Sequence, residues 1–161
     1  MDDTTETVDP LQFREACGRY ATGVTVMTAV DGSGRGVGVT VNSFSSVSLD
    51  PPLVQFSLDR GASTFHVFEK ADRFVVNVLA RDQKEISNRF ADRSDFEGLA
   101  HEHWDGGCPV LPGCLATIGC EGYATYDGGD HLIILGRVSR IEAGSPGEPL
   151  LFFRGGYGTF S

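Results

Sequence analysis

Six short stretches rich in β-branched and aromatic residues constrain the fold of this chain more than any other feature of its sequence. Turn sequences such as Asp31-Gly32-Ser33-Gly34 and Asp127-Gly128-Gly129-Asp130 separate them, and these residue types readily adopt tight turns. Many short strands in one small domain are typical of a β-barrel or a β-sandwich. We therefore predict a mostly β fold with strands at residues 24–30, 36–41, 53–58, 74–79, 115–125 and 132–141.

Short helices accompany the predicted strands. Asp9 followed by Pro10 is typical of a helix start, and apolar residues then recur with helical spacing up to about residue 20. The apolar face of this helix consists of Phe13, Ala16, Cys17 and Tyr20. We predict two further helices at residues 62–70 and 82–91, and a long surface loop at residues 92–114, where no periodicity is sustained.

The length of the chain limits its domain organisation. A chain of 161 residues is long enough for one hydrophobic core and too short for two ordinary domains. Its first residues are acidic and polar, and they offer almost nothing to bury. We therefore predict a disordered tail at residues 1–8 and a single domain at residues 9–161.

Charge and hydropathy exclude two classes of partner. A net charge of −9 and a pI of about 4.7 repel phosphate backbones, and no basic patch interrupts the acidic sequence. No apolar run approaches the ~20 residues that span a bilayer, and the acidic start lacks the basic and apolar regions of a secretory signal. We predict a cytoplasmic protein that binds neither nucleic acid nor membranes.

The cysteines are predicted to be thiols rather than disulfides or metal ligands. Cytoplasmic cysteines are kept reduced, which applies to Cys17, Cys108, Cys114 and Cys120. A metal cluster of His101, His103, Cys108 and Cys114 is the alternative interpretation. Its cysteine spacing lacks the short ligand loop that is typical of structural zinc, and we predict no metal site.

A hydroxyl-rich segment follows the second predicted strand. The segment contains Thr40, Asn42, Ser43, Ser45, Ser46 and Ser48 and returns through a Pro-Pro turn. Small hydroxyls and exposed amides at a strand end can bind a heteroaromatic edge or a phosphate without adding bulk. The alternative is a hydrophilic turn whose hydroxyls satisfy the local backbone, and the residues alone leave both interpretations open.

The run TVNSFSSVSLDPPLVQFSL, residues 40–58, resembles the flavin-binding signature of the short-chain flavin reductase family. These are the reductase components of two-component flavin-dependent monooxygenases. The resemblance covers nearly the whole chain, in order: Phe13-Arg14, residues 20–26, 74–79 and 83–91, Gly129-Asp130-His131, and residues 149–157. It implies an FMN-binding split β-barrel that forms a homodimer, with flavin in a groove near the subunit interface.

The resemblance implies two walls of a flavin site. The first contacts the isoalloxazine edge and ribityl chain through Thr40, Val41, Asn42, Ser43, Phe44, Ser45 and Ser46. The second consists of Ser57, Ala62, Ser63 and Thr64. Ser63 and Thr64 stand at a predicted helix start, where free amides attract a phosphate. The alternative is that Ser63 only caps the helix.

A third flavin segment is predicted on the helix at residues 82–91. It consists of Ser87, Arg89 and Phe90. The Arg89 guanidinium could neutralise the flavin phosphate with a forked pair of hydrogen bonds. A solvated helix arginine is an equally good interpretation of the same residue.

The nicotinamide side of the site is predicted from two glycine-containing segments. Gly128 and Gly129 deliver Asp130 and His131 to a strand start, and the family's corresponding histidine lies over the flavin and contacts the nicotinamide nucleotide. We therefore expect His131 to influence turnover by orienting the nicotinamide. Arg154 and Tyr157 are assigned to the same side by the resemblance. The alternatives are an ordinary turn at residues 128–131 and a frayed C-terminus.

These assignments predict hydride transfer from NADH to FMN or FAD, with release of reduced flavin to a partner monooxygenase. NADPH is the alternative reductant, and the sequence does not distinguish the two flavins. The chain has no G-x-G-x-x-G motif in a βαβ context, which argues against a Rossmann oxidoreductase. Two other hypotheses are a split-barrel oxidase that retains its flavin and a non-enzymatic flavin-binding electron-transfer protein.

Overall fold

A computed structural model describes residues 7–160 of the chain, so most of the tail predicted at residues 1–8 lies outside the described residues. The elements in chain order are α1 (Pro10–Gly18), β1 (Thr22–Gly23), β2 (Thr25–Val30), β3 (Gly36–Val41), β4 (Ser45–Leu49), β5 (Pro52–Asp59), α2 (Phe65–Glu69), β6 (Arg73–Val78), α3 (Lys84–Asp92), β7 (Glu102–His103), β8 (Pro109–Val110), β9 (Ala116–Gly128), β10 (His131–Ala143), β11 (Leu151–Phe153) and β12 (Gly156–Gly158).

The predicted mostly β fold is confirmed. Seven strands form one antiparallel sheet in the order β3-β2-β6-β9-β10-β5-β4, which is the sheet of the predicted split β-barrel. All six predicted strands are present, as β2, β3, β5, β6, β9 and β10. Strand β4 lies in the hydroxyl-rich segment and was not predicted. The C-terminal strands β11 and β12 form a small second sheet with β1.

The core lies inside this sheet and contains large aromatic side chains. Phe56 of β5 meets Phe68 of α2 and Phe74 of β6 edge to face, with ring centroids 5.9 and 5.3 Å apart. Met27 and Ile134 complete the same cluster from β2 and β10. Burial of each such side chain stabilises the fold by roughly 1.5–3 kcal/mol. The core therefore fixes the strands whose ends carry the predicted site residues.

The helix predicted at the N-terminus is present, but its apolar face is not packed. Asp9 caps α1 by accepting a hydrogen bond from the Leu11 amide at 3.1 Å. No residue of α1 is buried within the chain, and Phe13 remains 62% exposed. Tyr20, beyond the helix end at Gly18, is 79% exposed. The helical pattern therefore predicted the element, whose apolar face stays exposed within the described chain.

The prediction of a surface loop at residues 92–114 is wrong over its second half. This part forms β7 and β8 and buries the side chains of Trp104, Cys108, Val110 and Leu111. Buried Thr28 donates to the Pro109 carbonyl at 2.6 Å, and the Leu111 amide donates to the buried Asn77 side chain at 3.0 Å. These long-range hydrogen bonds hold the segment, and its sequence has no period that would reveal them.

No helix among the described residues is long and apolar enough to cross a bilayer. Within the same residues, no group of three or more His, Cys, Asp or Glu side chains is arranged to hold a metal ion.

Candidate active site

Four of the predicted site residues line one groove. Asn42, Asp130, His131 and Arg154 border an open volume of about 1090 Å³. They come from the end of β3, the β9–β10 hairpin and the β11–β12 hairpin, three parts of the chain far apart in sequence. The structure therefore brings the hydroxyl-rich segment and the predicted nicotinamide side to the same place.

The opposite wall of the groove is helix α1. Arg14 and Cys17 of this helix line the groove together with Tyr20 just after it, and the exposed apolar face of the helix borders the same space. No site residue was predicted on this helix. The signal that could have found it is an amphipathic helix whose apolar side chains the rest of the chain does not cover.

The β9–β10 hairpin delivers the imidazole of His131. The hairpin closes with a two-residue turn, in which Gly129 has a φ of 76°, a conformation that favours glycine. His131 is the first residue of β10 and pairs with Asp59 at the end of β5. This pairing fixes the strand end at the edge of the groove.

Asp130 and His131 form a pair of side chains at this strand end. The carboxylate Oδ1 lies 2.7 Å from the imidazole Nδ1. The hydrogen bond to His131, together with the charge of the imidazolium form, holds the pKa of Asp130 below its usual value of 3.8. Because a carboxylate at Nδ1 favours a proton on that atom, Nε2 is left to contact a ligand.

Arg154 lies in the turn between β11 and β12. Its φ of 50° is the one positive value of a non-glycine residue among the described residues, and Gly155 follows at 73°. A left-handed arginine is uncommon, since a side chain is strained in this conformation. The Arg154 amide donates to the Gly18 carbonyl at 2.8 Å, which ties this turn to the end of α1. The predicted alternative of a frayed C-terminus does not apply to this hairpin, because β11 pairs with β1.

The hydroxyl of Ser43 is used within the protein. Its Oγ donates to the Ser57 carbonyl and accepts from the Ser57 amide, both at 2.9 Å. These two hydrogen bonds join the first predicted flavin wall to the second. Gln55 likewise donates to the Ser45 hydroxyl at 3.1 Å. For Ser43 and Ser45, the interpretation as hydroxyls that satisfy local groups is therefore the one that the contacts favour.

Hydrogen bonds connect Thr40, Ser87 and Tyr157 in a cluster. Thr40 donates to the Ser87 carbonyl at 2.7 Å, and the Tyr157 hydroxyl lies 2.7 Å from Ser87 Oγ and donates to Asn88 Oδ1 at 2.8 Å. Tyr157, expected beside the nicotinamide, is instead bonded to α3 and does not line the groove with His131 in the described part of the chain. The hydroxyl anchors the C-terminal hairpin to the helix.

Arg89 has partners other than a phosphate. Its Nη2 donates to the carbonyls of Asp95 and Glu97 at 3.1 and 2.6 Å and to the Asp95 carboxylate at 3.2 Å. Its Nε donates to the Asp95 carbonyl at 3.3 Å. The donors that remain for a ligand are those on Nη1.

Three other predicted flavin contacts are buried. Phe90, Val41 and Thr64 are 2%, 9% and 3% exposed. The Phe90 and Val41 side chains pack in the core, so only their backbone atoms can meet a ligand. Thr64 Oγ1 has no hydrogen-bond partner among the described residues. Since buried hydroxyls are normally paired, a polar ligand at the second wall is one way to satisfy it.

The groove and its donors fit a nucleotide cofactor. The volume of about 1090 Å³ lies just above the roughly 300–1,000 Å³ that small-molecule sites occupy, which leaves room for more than one ligand. Amide, imidazole and guanidinium donors from Asn42, His131, Arg14 and Arg154 surround it. These groups match the carbonyl and phosphate acceptors of flavin and nicotinamide nucleotides.

Comparisons with known proteins point to one family. Residues 17–161 match the model of the flavin reductase like domain. The protein is similar to the FMN reductase (NADH) SmoA of Agrobacterium fabrum, with 47% identity over 150 residues, 92% of this chain and 85% of that protein. It is also 40% identical over 154 residues to the flavin-dependent monooxygenase reductase subunit HsaB of Rhodococcus jostii, covering 94% of this chain and 78% of that protein.

A solved structure agrees with these similarities. The NADH:FAD oxidoreductase SgcE6 of Streptomyces globisporus C-1027, in complex with NAD and FAD fragments, has a TM-score of 0.89 to this chain. The two sequences are 34% identical, and the match covers 97% of each chain.

Proposed function

The chain belongs to the flavin reductase family, and on this premise we propose that it transfers hydride from NADH to FMN or FAD and releases the reduced flavin. The observation that carries the proposal is the convergence of Asn42, His131 and Arg154 on one groove. The names of the Agrobacterium and Streptomyces relatives both include NADH, which supports NADH over NADPH as the reductant.

The chain's own residues divide the groove between two ligands in this proposal. Asn42, with the backbone amides of residues 43–46, would hold the flavin edge, and Ser63 and Thr64 would meet the flavin from the second wall. His131 and Arg154 would hold the nicotinamide nucleotide, the arginine through its phosphate groups. Asn42 on the flavin side and His131 and Arg154 on the nicotinamide side border the same open volume, which supports a face-to-face arrangement of the two rings.

When both nucleotides are bound, the dihydronicotinamide supplies the hydride and the isoalloxazine ring accepts it. The protein contributes positioning and the exclusion of water, which together account for much of the acceleration of such reactions. His131 orients the nicotinamide through Nε2, while Asp130 holds Nδ1 at 2.7 Å. No side chain of the groove has to act as an indispensable acid or base.

A flavin-dependent monooxygenase is the proposed recipient of the reduced flavin. The Rhodococcus relative is named as the reductase subunit of such an enzyme, which supports the same role here. A homodimer is also proposed. Leu11, Phe13 and Tyr20 are 62–79% exposed beside the groove, and an apolar surface of this kind is typical of a protein interface.

The cytoplasm is the proposed location of the protein, because the proposed reductant NADH is available there. Cys108, Cys114 and Cys120 are free and buried, which fits a compartment that keeps thiols reduced. Burial raises the pKa of Cys114 to about 11 and that of Cys120 to about 12, so these thiols stay protonated and unreactive.

Anaerobic reduction of excess flavin tests the proposal. Purified protein, NADH and a molar excess of FMN or FAD are mixed, and the flavin absorbance is followed. Bleaching of many equivalents is expected, faster with NADH than with NADPH. Bleaching of one equivalent only would indicate an oxidase that retains its flavin, and no bleaching would indicate a non-enzymatic flavin-binding protein.

A further inference from the structure

One arginine holds the hairpin tip that carries Asp130 and His131. Arg60 directly follows β5, and its backbone amide donates to the Asp130 carbonyl at 3.0 Å. Its Nε donates to the Gly129 carbonyl at 3.0 Å, and its Nη2 donates to the Asp127 carboxylate at 2.6 Å. A single residue therefore binds both carbonyls of the turn and the acidic side chain before it.

Few other contacts fix this tip. The turn residue Gly129 has no side chain, and a Cβ built there would find nothing within 4 Å. The side chains of Asp127 and Asp130 are 82% and 92% exposed. Strand pairing between β9 and β10 ends at the Gly128–His131 pair, so the carbonyls of the turn residues 129 and 130 are held by Arg60.

The contact depends on the shape of the guanidinium group as well as on its charge. Nε and Nη2 point in fixed directions within one plane and reach two different acceptors at the same time. The side chain is 40% exposed, and its Cζ lies 5.9 Å from the centre of the Phe65 ring. A lysine carries the same charge but has one ammonium group and no planar fork.

We propose that Arg60 is a positioning residue for His131. By fixing the turn at residues 129–130, Arg60 keeps the imidazole in the orientation in which it meets the nicotinamide. Arg60 also lies within residues 57–64, the second flavin wall, so its hydrogen bonds connect this wall to the turn that precedes His131. The inference rests on the proposed function, because it assigns Arg60 a role through His131.

Variants of Arg60 measured in single-turnover reduction test this role. Arg60→Met and Arg60→Lys are both expected to lower the rate constant of hydride transfer at saturating NADH about tenfold, since small misplacements of reacting groups cost this much or more. Asp127→Asn, which leaves the Gly129 contact in place, is expected to lower it about threefold. Arg137→Met is the matched control, because Arg137 is an exposed arginine on β10 that contributes no contact to the tip. The control should stay within about twofold of the parent.

A double-variant experiment separates positioning from general stability. In a His131→Ala background, Arg60→Met should lower the rate constant by less than about twofold, because the group that Arg60 positions is already gone. A tenfold loss in that background, or a parental rate constant for Arg60→Lys, would overturn the inference. If His131→Ala alone kept both the parental rate constant and the parental NADH affinity, the role of His131 in the proposed function would fail instead. Thermal midpoints of all variants show which losses come from unfolding.

Discussion

Replacement of Tyr157 by phenylalanine measures how strongly α3 holds the C-terminal hairpin. The Tyr157 hydroxyl contacts Ser87 Oγ at 2.7 Å and Asn88 Oδ1 at 2.8 Å. Ser87 is 0% exposed, so in the variant its hydroxyl would lose the tyrosine partner and could not bond to water instead. Asn88 is exposed, and its amide would bond to water. A buried hydroxyl left unpaired costs about 1–3 kcal/mol, and we expect Tyr157→Phe to lower the free energy of unfolding by about 2 kcal/mol.

This loss corresponds to a fall in thermal midpoint of about 4–8 °C for a domain of this size. Circular dichroism or differential scanning fluorimetry measures it at one fixed protein concentration, because assembly would shift the midpoint. Tyr126→Phe is the matched control. Tyr126 is 56% exposed, and the structure gives its hydroxyl no hydrogen bond within residues 7–160, so its midpoint should change by less than about 2 °C.

A Ser87→Ala background, in which no buried hydroxyl can be left unpaired, provides a second measurement. There Tyr157→Phe should cost less than about 1 kcal/mol, since only the exposed contact with Asn88 is lost. An unchanged midpoint for Tyr157→Phe in the parent chain would refute the argument. So would an equal cost in both backgrounds, because the burial of Ser87 would then contribute nothing.

His131→Ala should lower hydride transfer or NADH affinity about tenfold in anaerobic stopped-flow measurements, and unchanged values for both would remove His131 from the site. Gly38→Ala should destabilise the fold by about 1–3 kcal/mol in chemical denaturation, because the new Cβ would lie 2.6 Å from the Phe90 ring; parental stability would show that the ring moves aside easily. The hydrogen bond from the Ser33 hydroxyl lowers the pKa of Asp31 from 3.8 to about 2, so its stabilisation is full above pH 3.8 and is lost as the pH falls towards 2. Asp31→Asn should therefore flatten the acid limb of a stability-against-pH curve between those values, and an unaltered limb would contradict this.

The strands could be predicted because their residue types and turn sequences are local signals. β3 was predicted at its observed bounds, and β10 within two residues at either end. β4 was missed because Ser45, Ser46 and Ser48 are not among the β-branched and aromatic residues that are enriched in strands, and they form a strand by pairing with β5. The prediction of a surface loop at residues 92–114 was wrong for a similar reason. The hydrogen bonds of this segment to Thr28 and Asn77 join residues far apart in sequence, which no local pattern indicates.

Part of the site could be predicted for a different reason. Asn42 and His131 stand at the ends of strands, and the resemblance to flavin reductases implied that these ends meet, as they do in the groove. The resemblance did not reveal which polar groups already have partners. Arg89 binds the loop at residues 95–97, and Tyr157 binds α3, because these acceptors lie within reach in the folded chain. Sequence alone does not show whether such a side chain binds a neighbouring carbonyl or a ligand phosphate.

The proposed homodimer would give helix α1 the support that it lacks in the single chain. The helix forms one wall and buries none of its own residues, and the Arg154 amide fastens its far end at Gly18. If the partner subunit covers α1 as proposed, an isolated copy would hold this wall only at its C-terminal attachment, and a wider groove would bind nucleotides less tightly. Apparent affinity would then rise with protein concentration, and a dilute enzyme would lose activity before any part of its β core unfolded.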